Sequence, residues 1–112
     1  MIDPTSPRYE HYLDLLSQRQ KLTAANIANI DTPGYKAKDI DFQFEFLSAM
    51  EDAPAHVIEA PGLKVKNDGN NVSLDREARL LSENAMRFNF VSNLLKGEMR
   101  MLKRAIEEGK SA

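Results

Sequence analysis

The sequence predicts a mainly α fold in which long N- and C-terminal helices pair as an antiparallel, coiled-coil-like hairpin around an irregular middle. Three observations carry this. Apolar residues recur at alternating four- and three-residue spacings over residues 9–30 and again over 74–106. That spacing is the period of a helical seam. Between the two stretches lies a patchwork of Pro, Gly, Asn and Asp broken by short apolar clusters, which favours turns over long elements. At 112 residues the chain forms one domain, with a first helix over about 6–30, a loop-rich middle over 31–73 and a last helix over 74–108.

The first helix has a start and a stop. Ser6 can cap free backbone N–H groups, and Pro7 at the first helical position loses no hydrogen bond. Tyr9, Leu13, Leu16, Gln20, Thr23, Ile27 and Ile30 then form the stripe, with two polar positions in its middle. Asp31-Thr32-Pro33-Gly34 ends it, because Pro33 cannot continue a helix and Pro-Gly fits the centre of a type II turn.

Over residues 39–46 the alternation of Asp39-Ile40-Asp41-Phe42 and onward argues for a strand. Phe42, Phe46, Leu47 and Met50 equally describe a helical face capped by Asp41, so residues 42–50 fit either element. Pro54, Pro61 and Gly62 mark a loop, and Asp68-Gly69 a tight turn or hairpin.

The last helix carries the cleaner stripe: Leu74, Ala78, Leu81, Ala85, Phe88, Ser92, Leu95, Met99, Leu102 and Ile106. Val91, Leu94, Met101 and Ala105 widen the apolar face in its second half. Ser73 or Asp75 can cap the start, Asp75 and Glu77 suit the first turn, and Gly109 is placed to end it. Gly97 inside the helix costs about 1 kcal/mol relative to Ala. Two helices alone cannot cover the broad face around Phe88, Phe90, Val91, Leu94 and Leu95. An apolar face left over on such a chain marks a partner surface.

Composition removes several functions. A formal net charge of −2 lacks the surplus of Lys and Arg that phosphate neutralisation needs, so nucleic acid is not the expected partner. No apolar run approaches the roughly 20 residues of a membrane span, and the N-terminus lacks the basic start and apolar stretch of a cleaved signal. The absence of cysteine excludes disulfides and thiolate metal sites. His11 and His56 have no ligand set, Asp68-Gly69-Asn70-Asn71 fails the calcium-loop spacing, and Asn71-Val72-Ser73 matches a glycosylation acceptor by chance. No nucleophile elbow or phosphate-cradling loop occurs, so neither an enzyme nor a cofactor is expected. The basic residues Lys96, Arg100, Lys103 and Arg104 read as a solvated face or as ion-pairing groups between subunits.

The most specific feature is Ala24-Ala25-Asn26-Ile27-Ala28-Asn29-Ile30-Asp31-Thr32-Pro33-Gly34-Tyr35-Lys36. Its small alanines let another backbone approach, and Asn26 and Asn29 offer amides to nearby peptide groups. By its residues alone it is also a capped helix end followed by a turn. It closely resembles the N-terminal signature of bacterial flagellar rod and hook proteins, in which Asn-x-Ala-Asn precedes Thr-Pro-Gly-Tyr. Lys36-Ala37-Lys38-Asp39-Ile40-Asp41-Phe42 and Asp68 to Glu77 resemble the proximal rod branch of that family. The middle of this chain is shorter than is usual there.

The resemblance implies a structural subunit whose helices polymerise into an axial drive shaft in the periplasmic part of the basal body. It implies export without a cleaved signal through the flagellar type III apparatus. Its implied partners are further copies of itself, other rod subunits and the adaptor between rod and MS ring. The residues expected to pack in assembly are Leu13, Leu16, Asn26, Ile27, Asn29, Ile30, Leu81, Ala85, Phe88, Val91, Leu95, Met99 and Leu102, with Pro33 and Gly34 making the turn. A cytosolic helical adaptor docking one partner helix is the alternative.

Overall fold

The computed structural model describes residues 6–41, 45 and 56–111, with side chains of the first helix described from Arg8 onward. The capping role read for Ser6 and Pro7, and the strand-or-helix alternative over 42–50 apart from Glu45, lie outside what is described. Among the described residues four elements follow one another: α1 (Ser6–Ala28), β1 (Lys38–Ile40), β2 (Val57–Glu59) and α2 (Leu74–Ser111). The molecule is a narrow rod, 71 × 24 × 17 Å.

α1 runs 23 residues, about 35 Å at helical rise. Its last turn tightens: the Asn29 N–H is shared between the carbonyls of Ala25 and Asn26, and Ile30 donates to Ile27. Pro33 and Gly34 then turn the chain. Tyr35 N–H donates to the Thr32 carbonyl at 3.2 Å, and Gly34 sits at φ +76°, the left-handed value a type II turn requires at its third residue.

β1 and β2 form a two-stranded antiparallel ladder with Lys38 opposite Glu59, Asp39 opposite Ile58 and Ile40 opposite Val57. Ala60 N–H to Ala37 O and Asp41 N–H to His56 O extend it at both ends. So Asp39-Ile40 is strand. Glu45 N–H donates to the Asp41 carbonyl at 2.9 Å, the i to i−4 bond of a helical turn. Under the ladder Ala37, Ala60 and Val72 make a small core, closed by Ile30, Tyr35 and Leu63.

α2 is 38 residues, about 57 Å long. Ser73 begins it: its Oγ accepts from Arg76 N–H at 3.3 Å and its carbonyl from Glu77 N–H. Gly109 does not end it, contrary to the expectation above. Gly109 has no positive φ and the helix continues to Ser111. Asp68-Gly69 does make a turn, closed by Gly69 N–H to Lys66 O and Lys66 N–H to Asn70 O, with no strand assigned on either side.

The two helices run antiparallel. Asn26 near the end of α1 meets Glu77 near the start of α2, and Tyr12 near the start of α1 meets Arg87 further along α2. Buried seam residues are Leu15, Leu16, Thr23 and Asn26 on α1 and Glu77, Leu80, Asn84 and Val91 on α2. The α2 line therefore lies one residue before the apolar row Ala78, Leu81, Ala85 read from spacing. The Glu77 contacts set that rotation. By these two contacts Ser6 faces a position between Asn93 and Gly97, so about 14–18 residues of α2, roughly 21–27 Å, extend past the described start of α1.

Candidate assembly surface and its polar anchor

Asn26 organises the joint between helices and ladder. Its Nδ2 donates to the Lys38 carbonyl at 2.9 Å and to Glu77 Oε1 at 3.1 Å. Its Oδ1 accepts from Lys38 N–H and from the Tyr35 hydroxyl, both at 3.0 Å. The side chain thus pairs with Lys38 as a neighbouring strand would, and both donors and both acceptor sites of the amide are used. Asn29 is different. Its amide bonds the Ala25 carbonyl and the Thr32 hydroxyl, both at the exposed end of its own helix.

Beside Asn26, Asp39 joins both helices to β1. Arg19 grips it with two bonds, Nε at 3.0 Å and Nη2 at 2.9 Å, and Arg76 Nη2 reaches it at 2.7 Å. Arg76 Nη1 also donates to Glu77 Oε1 at 2.7 Å. Glu77 is fully buried, its Oε2 has no partner, and it stands in the first turn of α2, where the helix dipole favours an anion.

A second polar clasp holds the loops. Asn70 Nδ2 donates to the carbonyls of Asn29 and Thr32, which also accept the turn bonds from Thr32 N–H and Tyr35 N–H, while its Oδ1 accepts from Val72 N–H. Asn71 Oδ1 accepts from Ala37 N–H at 2.6 Å, Asn71 N–H donates to Tyr35 O, and Lys36 Nζ donates to Gly69 O. The two turns touch directly through Gly34 N–H to Asp68 O at 2.9 Å.

Gly69 sits at φ +87°, and a Cβ there would lie 3.3 Å from Gly34 Cα. Gly69→Ala is therefore expected to cost about 2 kcal/mol, strain and clash together. Gly34→Ala, with φ +76° and open space around it, should cost only about 1 kcal/mol. Urea melts of the two variants check the order, and equal costs would refute the close approach of the turns.

Burial, and secondarily the charge of Glu77, raise the Tyr35 phenol above its ordinary 10.0. The folded chain then holds a proton that the unfolded chain releases. Tyr35 supports stability fully below pH 10.0, and that support is lost as pH rises through the raised value. Tyr35→Phe is expected to flatten the fall in stability above that pH while costing about 1 kcal/mol at pH 7. Melts across the alkaline range give both numbers, and an unchanged slope would remove Tyr35 from the anchor. At the other end, the bond from Arg87 Nη1 to the Tyr12 hydroxyl at 3.0 Å holds the guanidinium above its usual range.

Away from the anchor the surface is apolar. Of the expected packing residues, Leu16, Asn26 and Val91 are buried, and Leu13, Ile27, Asn29, Ile30, Leu81, Leu95 and Leu102 are half-buried. Ile30 joins the core under the ladder. Ala85 is exposed, as are Phe88 (42%) and Met99 (64%), and Phe90, Leu94, Met101 and Ile106 are exposed beside them. A groove of about 330 Å³ opens between the helices, walled by Leu16, Ser17, Gln20, Ala85, Phe88 and Asn89, with Asn84 also lining it. His11 is half-buried, with its Nε2 3.4 Å from the Glu45 carbonyl, and no group of three or more metal-ligating side chains occurs among the described residues.

Spacing did not reveal Arg19, Asp39, Arg76, Asn70, Asn71 or Asn84 as parts of this arrangement. The readable hint was local: Asp39 and the Asn70 to Glu77 run both lie in segments that resemble the rod family.

The profile described as "Flagella basal body rod protein" matches residues 13–36, which holds the end of α1 and the Pro-Gly turn. The flagellar basal body rod protein FlgB of Escherichia coli K12 is 32% identical, over 87% of this chain and 88% of its own. Those of Salmonella typhimurium and Borreliella burgdorferi are 33% and 31% identical, over 80% and 74% of this chain and 86% and 81% of theirs. The alignment to the first spans 122 positions, more than the 112 residues present here, so that relative has residues this chain lacks. With such identity over most of both lengths, and with the signature Asn26 and Pro-Gly turn at the joint of the fold, the chain belongs to the FlgB family of flagellar basal body rod proteins.

Proposed function

We propose that this chain is a structural subunit of the proximal rod of the flagellar basal body and acts by polymerising, not by catalysis. The observation that carries this reading is the apolar face of α2, which continues past the described start of α1 and is left open by the described residues. An open face of this kind favours a partner. The names of the relatives supply the setting, the bacterial flagellar basal body. In that setting Leu13, Leu16, Ile27, Leu81, Ala85, Phe88, Val91, Leu95, Met99 and Leu102 serve as the packing residues between and within subunits. The partners are further copies, other rod subunits and the adaptor that joins rod to MS ring. The chain works in the periplasmic space and reaches it through the type III export channel.

Electron micrographs of basal bodies from cells lacking the gene test the reading. The expected result is rings without a rod, restored by expression of the chain. Intact rods would overturn it. Recovery of a tagged, functional chain only in soluble cytosol would instead favour the adaptor.

A further inference from the structure

We propose that the free end of α2 in one copy docks in the groove between α1 and α2 of a second copy, with its basic row against Glu10 and Asp14. This rests on the rod reading and names the two surfaces that meet. The free end exposes Met99 and Ile106 on the heptad line that also holds Leu95 and Leu102. Beside that line Lys96, Arg100 and Lys103 stand four and three residues apart, and Arg104 joins them, all exposed. The groove offers the matching chemistry. Leu16, Ala85 and Phe88 give it an apolar wall, and on α1 the exposed carboxylates Glu10 and Asp14 share a face with Ser17, again at spacings of four and three.

Asn84 marks the groove as incomplete in one copy. It is only 3% exposed, lines the groove, and neither amide atom has a hydrogen-bond partner. Buried amides are nearly always satisfied, so a polar group arriving with a neighbour is the missing part.

The occupant is not the chain's own helix end, because α2 is continuous and places Lys103 about 14–18 residues, roughly 21–27 Å, beyond the position facing Asp14. Pairing of two free ends is disfavoured, since their basic rows would add like charge along the contact. Docking end into groove uses different patches on the two copies. Each added copy then presents a new end and a new groove, the heterologous contact from which filaments grow.

Zero-length carbodiimide coupling in isolated basal bodies, mapped by mass spectrometry, tests the contact. The expected product joins Asp14 to Lys103, a link that can form only between copies. Absence of that link, or coupling of Lys103 to another rod protein, overturns the docking while leaving the rod reading intact. Absence of the chain from basal bodies overturns the rod reading itself. A charge swap gives a second measurement. Glu10→Lys with Asp14→Lys should weaken docking about tenfold, two surface ion pairs' worth, and impair swimming. Adding Lys96→Glu with Arg100→Glu should restore it, and failure of that rescue overturns the charge pairing.

Discussion

Asn26→Ala is expected to lower the stability of the isolated chain by about 3 kcal/mol, a fall in melting temperature of roughly 15 °C. The side chain makes bonds to Lys38, Glu77 and Tyr35 that no neighbour can replace. Truncation leaves the N–H and C=O of Lys38 without their side-chain partner. Glu77 is worse placed: it is fully buried, one oxygen already has no partner, and the other would keep only Arg76. Orphaned buried groups cost about 1–3 kcal/mol each, which sets the estimate. Asn29→Ala is the control. Its bonds are exposed and local, so its cost should stay within about 0.5 kcal/mol. The two asparagines look equivalent in the Asn-Ile-Ala-Asn motif, and thermal melts giving equal losses would refute the anchor described above.

Leu95→Asp should have the opposite profile, with swimming abolished and the monomer nearly unaffected. Leu95 is half-buried and stands level with the described start of α1, at the edge of the helix pair. Within the chain the change costs little more than the lower helix propensity of Asp, about 0.5 kcal/mol. Within a rod it sets an unpaired carboxylate in an apolar contact, which costs several kcal/mol in every subunit. A motility assay and a melt of the purified variant check both halves. Full swimming would dismiss the packing role of this face. A large loss of monomer stability would place Leu95 in the chain's own core instead.

Much of this architecture was legible before any coordinates. Ser73 at the start of α2, the Pro33-Gly34 turn after α1 and the presence of two long amphipathic helices follow from local rules, because capping, φ restriction and apolar periodicity act over a few residues. The surplus apolar face around Phe88, Phe90 and Leu94 was legible for the same reason. A stripe too wide for one partner can be counted along the sequence. Gly109 does not act as a stop because its backbone stays helical, and a Gly ends a helix through the left-handed conformation it does not adopt here.

The rotation of α2 was not legible. Spacing put Leu81 and Ala85 in the seam, whereas Leu80 and Asn84 occupy it. The register is decided by Glu77 reaching Asn26 across a sequence separation of 51 residues, and no local period encodes such a bond. The same holds for Arg19 and Arg76 meeting on Asp39, and for Asn70 closing the end of α1 from 41 residues away. Sequence by itself determined the two long helical segments, the start of the second and that an apolar face is left over. Only tertiary structure decided which polar side chains lock the helices to the ladder, because buried hydrogen bonds depend on positions in space that chain spacing does not specify.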